Sequence, residues 1–224
     1  MEKWLKLHKK FIYDDRCKLY VPLLTYMDTA RTKVEDISQY HNHGTIYGAV
    51  PDEIGFDFDG TDDYIDCGDD GSLDITDAIT IEAWVKPESL QTNWDYITGW
   101  RWDYILSIGV ESGNACKLRW YAADLTPQVV SSDNYVVTFD EFQHVAVTYD
   151  SSTGKVTLYR NGIKVGEDTV SGTITNFPGI GVRMGKYDDY PFNGTIALDR
   201  IWDIALSEET IKSHYEIERH LFGV

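Results

Sequence analysis

The sequence predicts an all-β protein in which two antiparallel sheets pack as a sandwich. Short runs of alternating apolar and polar residues, separated by turn residues, recur from residue 18 to about residue 202. Asn161-Gly162 lies between two such runs and is the strongest hairpin signal, because a type I′ turn needs positive φ at both central residues. A chain of 224 residues can bury enough surface for a two-sheet core without covalent staples.

The elements are predicted in the following order. Residues 1–17 form a short helix or an arm, since apolar residues there recur near helical spacing. Strands then follow at 18–24, 45–50, 54–58, 64–67, 79–86, 96–98, 104–110, 117–122, 142–149, 156–160, 163–170, 181–185 and 195–202. Ser207 is typical of a helix N-cap and opens a short helix to about His220. No composition shift marks a second domain, so residues 18–224 are expected to form a single domain.

The run at 79–86 predicts a central strand. Ile79, Ile81, Ala83 and Val85 share one face, while Trp84 lies on the other. A strand with large apolar residues on both faces is buried on both sides. Trp84 and Trp202 are therefore interpreted as core residues rather than ligand contacts.

The charge distribution excludes some partners. The chain carries a net charge of -17, although residues 1–18 hold six basic and three acidic side chains. The strongly acidic remainder of the chain repels phosphate backbones and anionic lipids, which argues against nucleic acid as a partner. No apolar run reaches the length of a membrane-spanning helix, so membrane insertion is not expected either.

The cysteines and the N-terminus say little about the compartment. Cys17, Cys67 and Cys116 lack the spacing of a zinc site or a disulfide framework, although a single disulfide between two of them is left as an alternative. Residues 1–15 lack the continuous apolar segment of a signal peptide. We therefore expect a virion-associated protein, a cytoplasmic protein or an excerpt of a larger exported one.

Six stretches, in order, resemble the laminin-G-like, concanavalin A-like family of lectin and glucanase jelly rolls. They are Asp36 with Asn42-His43-Gly44-Thr45, then residues 58–65, 79–87, 142–150, 158–162 and 192–211. The resemblance covers roughly residues 18–218 and implies a concanavalin A-like jelly-roll sandwich. Phe142 stands where the family commonly has Trp, and Arg160 where Asp often precedes the turn; neither change should disturb folding.

The resemblance also implies a structural calcium ion, which many family members carry. Hard cations take oxygen ligands from carboxylates and carbonyls. Asp36 and Asp199 are the best matches for such ligands, and Asp59 is a third. The alternative is that these carboxylates only cap turns or face solvent.

A tryptophan-rich segment, residues 91–104, is the candidate carbohydrate-binding site. It contains Trp94, Trp100, Arg101, Trp102 and Asp103, and Trp120 lies on a later strand. Sugar rings present flat C–H faces that stack on aromatic rings, while Asp and Arg can bond their hydroxyl groups. Residues 100–102 should lie at a hairpin tip, where three large side chains are hard to cover. The alternative is that these rings pack into the core or against residues 1–17.

Catalysis is not expected. Glycanases of this general fold carry three acidic residues on one strand at ExDxxE spacing, which flank the glycosidic bond, and the sequence has no such string. Nucleophile, zinc-protease and phosphate-loop motifs are also absent from the sequence. A diverged glycan hydrolase is thus the weakest hypothesis.

Two functions remain. The first is a non-catalytic recognition module that binds a glycan or a protein surface through residues 91–104. The second is a structural or assembly protein, such as a virion surface or decoration subunit, which docks or oligomerises through its basic arm at residues 1–17.

Overall fold

The two sheets of the sandwich are described by a computed structural model that covers residues 14–22, 31–52, 54–100, 102–175, 179 and 181–224. Both are antiparallel, which confirms the predicted fold class. The predicted N-terminal arm falls mostly on residues 1–13, outside the described residues. Cys17, the last residue of that arm, already belongs to the sandwich, because it pairs with Trp202.

Within these ranges the elements follow the predicted order. The strands are β1 (Cys17–Val21), β2 (Lys33–Val34), β3 (Gly44–Tyr47), β4 (Val50–Pro51), β5 (Phe56–Asp59), β6 (Tyr64–Asp66), β7 (Ala78–Ser89), β8 (Asp95–Trp100), β9 (Tyr104–Ser112), β10 (Ala115–Tyr121), β11 (Leu125–Thr126), β12 (Val129–Ser131), β13 (Val137–Thr138), β14 (Gln143–Asp150), β15 (Lys155–Arg160), β16 (Ile163–Thr169), β17 (Ser171–Gly172), β18 (Val182–Met184), β19 (Lys186–Tyr187), β20 (Tyr190–Pro191) and β21 (Asn193–Trp202). Helix α1 (Glu208–Glu218) follows, and 3-10 turns cover Gly71–Leu73 and Arg219–Leu221.

The strands assemble into two large sheets and two small two-stranded pairs, β11-β17 and β19-β20. The eight-stranded sheet has the order β16-β15-β14-β7-β21-β5-β4, with β1 paired to β21. The nine-stranded sheet has the order β12-β10-β9-β8-β18-β6-β3-β2, with β13 paired to β10. The pair β19-β20, here called the 186–191 hairpin, stands apart from both.

Alternation along the strands builds the core between the sheets. On β7, Ile79, Ile81, Ala83 and Val85 point into this core, as predicted. The strand lies between β14 and β21, so it is central. The turn at Asn161-Gly162 has φ values of 52° and 71°, which confirms the predicted left-handed pair of residues.

The outer face of the eight-stranded sheet is covered by α1 and the C-terminal turn. Ser207 caps the helix as predicted, since its hydroxyl accepts the backbone N–H of Thr210 at 3.3 Å. Trp84 is stacked on Phe222, with ring centres 4.1 Å apart. Trp84 and Trp202 are both buried, so both are core residues as interpreted above.

The three cysteines are buried and form no disulfide. Burial raises the pKa of the thiols of Cys17, Cys67 and Cys116 above the ordinary value. Each therefore acts as a small apolar core residue. In the part of the chain described, no helix is long and apolar enough to cross a bilayer.

Candidate functional site

The tryptophans of the 91–104 segment lie on opposite faces of the nine-stranded sheet. Trp100 ends β8 and is buried in the core, 6.4 Å from the ring of Tyr104. Trp120 on β10 is also buried in the core, where it stacks on Tyr149. The prediction that Trp100 and Trp120 face a ligand is therefore wrong, because the pleat turns both inward. Arg101 lies outside the described residues.

Asp103 is also enclosed rather than offered to solvent. Only 2% of the residue is exposed, and its backbone N–H donates to the carbonyl of Trp100 at 3.2 Å. The turn is further held by the N–H of Ala123, which donates to the carbonyl of Trp102 at 2.7 Å. The structure thus places Asp103 inside the turn, where its carboxylate cannot reach a surface glycan.

Trp94 and Trp102, in contrast, lie on the outer face and are half-buried. Trp102 has a φ of 58°, a left-handed conformation that is rare for a bulky residue. Its ring packs edge-on against Tyr121, Tyr187 and Tyr190, with ring centres 5.6 to 6.3 Å away. Such backbone strain persists only where the surroundings impose it, and here they hold one ring over the sheet.

These two tryptophans belong to a continuous row of side chains across the outer face. We call this row the aromatic belt. Its members, in order, are Tyr47, Tyr64, Arg183, Tyr187, Trp102, Tyr121, Trp94 and Arg119. Ring and guanidinium centres of successive members are 4.5, 4.6, 5.5, 6.3, 5.6, 5.4 and 3.8 Å apart.

The register of the strands explains the belt. Tyr47 on β3 is the direct partner of Tyr64 on β6, so both point the same way. Arg183 on β18 faces Gly99 on β8, and Tyr121 on β10 faces Ile105 on β9. Successive side chains along a strand point to opposite faces. The residues directly before and after the belt residues on these strands therefore point into the core.

The 186–191 hairpin covers the middle of the belt. Tyr187 and, beneath it, Tyr96 are buried, and the Tyr96 hydroxyl donates to the carbonyl of Gly99. Two partly exposed surfaces remain on either side. The first platform consists of Tyr47, Tyr64 and Arg183, and the second platform consists of Trp94, Trp102, Tyr121 and Tyr190.

Hydrogen bonds fix the second platform. The Asp95 carboxylate accepts the backbone N–H groups of Gln91 and Thr92 at 2.7 and 2.8 Å, which holds the loop that carries Trp94. Burial raises the pKa of Asp95 to about 6, although these hydrogen bonds oppose the shift. Arg119 donates to the carbonyl of Asn93 at 2.9 Å, and burial lowers the pKa of its guanidinium.

The predicted calcium ligands do not form one site. The Asp36 carboxylate already accepts from the N–H groups of Tyr20, Ser38 and Asn42 and from the Ser38 hydroxyl, at 2.7 to 2.8 Å. Asp199 is enclosed between the sheets, where Thr98 donates to it at 2.8 Å.

Asp59 ends β5 and lies close to Asp62 and Asp63 of the following turn; Asp59 and Asp62 are exposed, whereas Asp63 is buried. Among the residues described, this is the one set of three or more candidate ligand side chains whose atoms converge within 4.8 Å. Asp59 accepts the N–H of Thr61, and Asp63 accepts the N–H of Asp59, so both carboxylates also stabilise the turn. Among the described residues, Asp36, Asp59 and Asp199 thus do not converge on one point, and calcium binding stays a prediction.

Several belt residues were missed in the sequence. They are Tyr47, Tyr64, Arg119, Arg183 and Tyr187, and Tyr190 of the second platform was missed as well. A signal existed for some: Tyr121 and Arg119 alternate with the apolar Leu118 and Trp120, so they occupy the polar phase of their strand. An aromatic residue in the polar phase marks the outer face, whereas Trp120 is in the apolar phase. No local pattern marks the 186–191 hairpin, which acts through tertiary contacts.

Solved structures with a similar fold include known binding domains. The binding domain of botulinum neurotoxin serotype G aligns with a TM-score of 0.66 at 16% identity, over 90% of this chain and 51% of that one. Domain 4 of AbnA, an extracellular arabinanase from Geobacillus stearothermophilus solved with arabinotriose, aligns with a TM-score of 0.57 at 22% identity, over 76% and 81%. A putative carbohydrate-binding protein from Bacteroides ovatus gives 0.56 at 24%, over 72% and 47%.

These identities support the fold alone. This chain spans about half the length of the toxin domain and of the Bacteroides ovatus protein. No curated protein matches the sequence significantly. A family model does match: residues 59–212 fit the family described as the concanavalin A-like lectin/glucanases superfamily. That range covers more than half of the chain, from the end of β5 to the first half of α1, with strands of both large sheets. The chain therefore belongs to the concanavalin A-like lectin/glucanase superfamily.

Proposed function

We propose that this protein is a non-catalytic carbohydrate-binding module and that the second platform holds the sugar. The observation that carries the proposal is the arrangement of Trp94, Trp102, Tyr121 and Tyr190. These half-buried rings lie on a sheet face outside the main core, and their neighbours hold them in place. Sugar rings stack on such surfaces through their C–H faces, while tyrosine hydroxyls stay free for polar contacts.

Preorganisation favours this role. The strained backbone of Trp102 and the Asp95 hydrogen bonds fix the two tryptophans before any ligand arrives. A ligand then pays little entropy to order the surface, which is how small contact areas reach useful affinity. Unused, such rings would add exposed apolar area that a monomeric protein ordinarily avoids.

The comparisons support the same function. Two structures of similar fold are described as a putative carbohydrate-binding protein and as an arabinanase domain in complex with arabinotriose. The sequence also lacks the ExDxxE string that a glycanase of this fold would need, so binding without hydrolysis is favoured. The assembly function would depend on residues 1–17, which are mostly outside the described part of the chain, and it stays a prediction.

A glycan array probed with wild-type protein and Trp102→Ala tests the proposal. We expect binding by wild type and loss of signal in the variant. Trp102→Phe should retain part of the signal, because it keeps a ring at that position. Tyr135→Ala is the matched control, since Tyr135 is 44% exposed and is not part of the belt. Circular dichroism melts verify that each variant folds. Absence of binding to every glycan would contradict the proposal.

A further inference from the structure

We infer that the two platforms are subsites of one extended site and that its ligand is a linear, uncharged glycan of several sugar units. The inference rests on the proposed function and adds the first platform, which no sequence pattern indicated. The contacts of the belt carry it. Tyr187 touches Arg183 of the first platform and Trp102 of the second, so the two surfaces are joined through one buried ring.

The first platform has the form of a stacking surface. The rings of Tyr47 and Tyr64 lie 4.5 Å apart at an interplanar angle of 15°. Tyr47 is 47% exposed, and neither tyrosine belongs to a hydrophobic core cluster. Core packing therefore does not account for this pair. Arg183 lies over Tyr64 and keeps its ring in place, while Asp66 holds Arg183 at 3.2 Å.

The span of the belt sets the length of the ligand. The first platform begins on β3 and the second ends on β10, and β6, β18, β8 and β9 lie between them. Neighbouring strands are about 4.8 Å apart, so the belt extends over roughly 24 Å. A disaccharide cannot contact both ends. A chain that runs across the strands and passes the 186–191 hairpin can contact both.

The charges of the belt favour a neutral ligand. Its two cations are already engaged, Arg183 with Asp66 and Arg119 with the Asn93 carbonyl and the Trp94 ring. The protein as a whole carries a net charge of -17. Neither of these two described arginines is left to offset the negative potential that a chain of uronic acids would meet.

Calorimetry with oligosaccharide ladders tests the inference. The probes are linear oligosaccharides of arabinose, xylose and glucose with two to eight units, and a matching ladder of galacturonic acid. We expect wild-type affinity for at least one neutral ladder to rise with length beyond the trisaccharide. The galacturonic acid ladder should bind more weakly at every length.

Two variants separate the subsites. Tyr47→Ala should leave trisaccharide affinity unchanged and weaken the longest chains roughly tenfold, the loss expected from one stacking ring. Tyr47→Phe should restore the long-chain affinity. Trp94→Ala should weaken short and long chains alike, because it alters the second platform. Melting curves confirm that each variant is folded.

The outcomes distinguish the two proposals. If wild type binds a trisaccharide and affinity does not rise with length, or if Tyr47→Ala leaves long chains unaffected, the extended site is wrong while carbohydrate binding stands. Equal affinity for the galacturonic acid ladder would overturn the neutral class alone. No binding to any probe at any length would overturn both the extended site and the carbohydrate-binding function.

Discussion

The guanidinium of Arg119 lies 3.8 Å from the ring centre of Trp94 and donates to the neighbouring Asn93 carbonyl. This arrangement joins β10 to the loop before β8 and closes one end of the aromatic belt. A planar cation stacked on indole is among the stronger contacts of its type, worth about 1 kcal/mol when partly buried. Arg119 is thus a positioning residue for Trp94.

Replacing Arg119 with alanine should therefore weaken glycan binding. Trp94 and its loop lose both the stacked guanidinium and the hydrogen bond, so we expect about 1 kcal/mol less stability and a lower affinity. The stability and affinity of Arg119→Lys should fall between those of wild type and Arg119→Ala, since lysine keeps the charge without the planar stack. Urea unfolding and calorimetry measure these effects.

Lys117→Ala is the control for Arg119. It removes a positive charge from the same strand and the same face, where its ammonium lies over the Tyr135 ring away from the belt. Glycan affinity should not change. An equal loss in both variants would mean that overall charge, rather than the contact with Trp94, governs binding.

A second prediction concerns the buried ion pair under α1. Arg200 donates to both carboxylate oxygens of Glu218, at 2.6 and 2.9 Å, and the Trp84 indole donates to the same group at 2.8 Å. Glu218→Gln would remove a charge that compensates a buried guanidinium. We expect a loss of about 3 kcal/mol in the free energy of unfolding, measured with urea.

Glu216→Gln supplies the matched comparison on the same helix. Glu216 is exposed, and its pair with Arg219 at 3.4 Å lies in solvent. Such pairs contribute about 0.5 kcal/mol or less. Similar losses from both variants would contradict the view that α1 is held through its buried face.

The third prediction is a pH dependence of stability through Asp199. Burial raises its pKa to about 7, although the Thr98 hydrogen bond and Arg200 oppose the shift. The native state then binds more protons than the unfolded state between about pH 4 and pH 7. Asp199 should therefore lower stability as pH rises through that window, by up to about 1.4 kcal/mol for each pH unit.

Asp199→Asn should remove this contribution. Asp95, whose pKa is also raised, and the other groups titrate in both proteins, so the difference between their melting temperatures at pH 5 to 8 isolates Asp199. We expect the variant to gain relative stability as pH rises and the difference to level off above pH 7. Parallel curves would show that Asp199 stays ionised in the native protein.

The fourth prediction tests how the sheets approach one another at Gly185. This residue has a φ of 85°, and a Cβ there would overlap the Phe58 ring. Gly185→Ala should cost about 3 kcal/mol, from left-handed strain and overpacking together. Gly113 has a φ of 64° with open space around it, so Gly113→Ala should cost only the strain, about 1 kcal/mol. Equal losses in urea unfolding would rule out the steric contribution.

Much of the fold could be predicted because the strands alternate. The central strand β7, the Asn161-Gly162 turn and the Ser207 cap each depend on local patterns that the tertiary structure leaves intact. The candidate site was harder to predict for a geometric reason. Trp100 and Trp102 are two residues apart, so simple alternation would place both on one face.

Two local irregularities reverse that expectation. The left-handed backbone at Trp102 turns its ring outward, and an irregular register between Tyr96 and Thr98 shifts the pleat earlier in the segment. Trp94 and Trp102 consequently share the outer face, while Trp100 lies in the core. The distant members of the belt, such as Tyr47 and Tyr187, come together only when the strands from β3 to β10 are in register.

The 186–191 hairpin has a consequence for how this fold diversifies. It contributes no strand to either large sheet, and its ring Tyr187 belongs to a satellite cluster separate from the main core. Changes in its length that keep Tyr187 on Tyr96 should therefore leave the sandwich intact. A longer hairpin would divide the outer face into two isolated grooves, and a shorter one would merge them into one trough. Changes confined to these six residues could thus alter ligand specificity while the two-sheet sandwich stays the same.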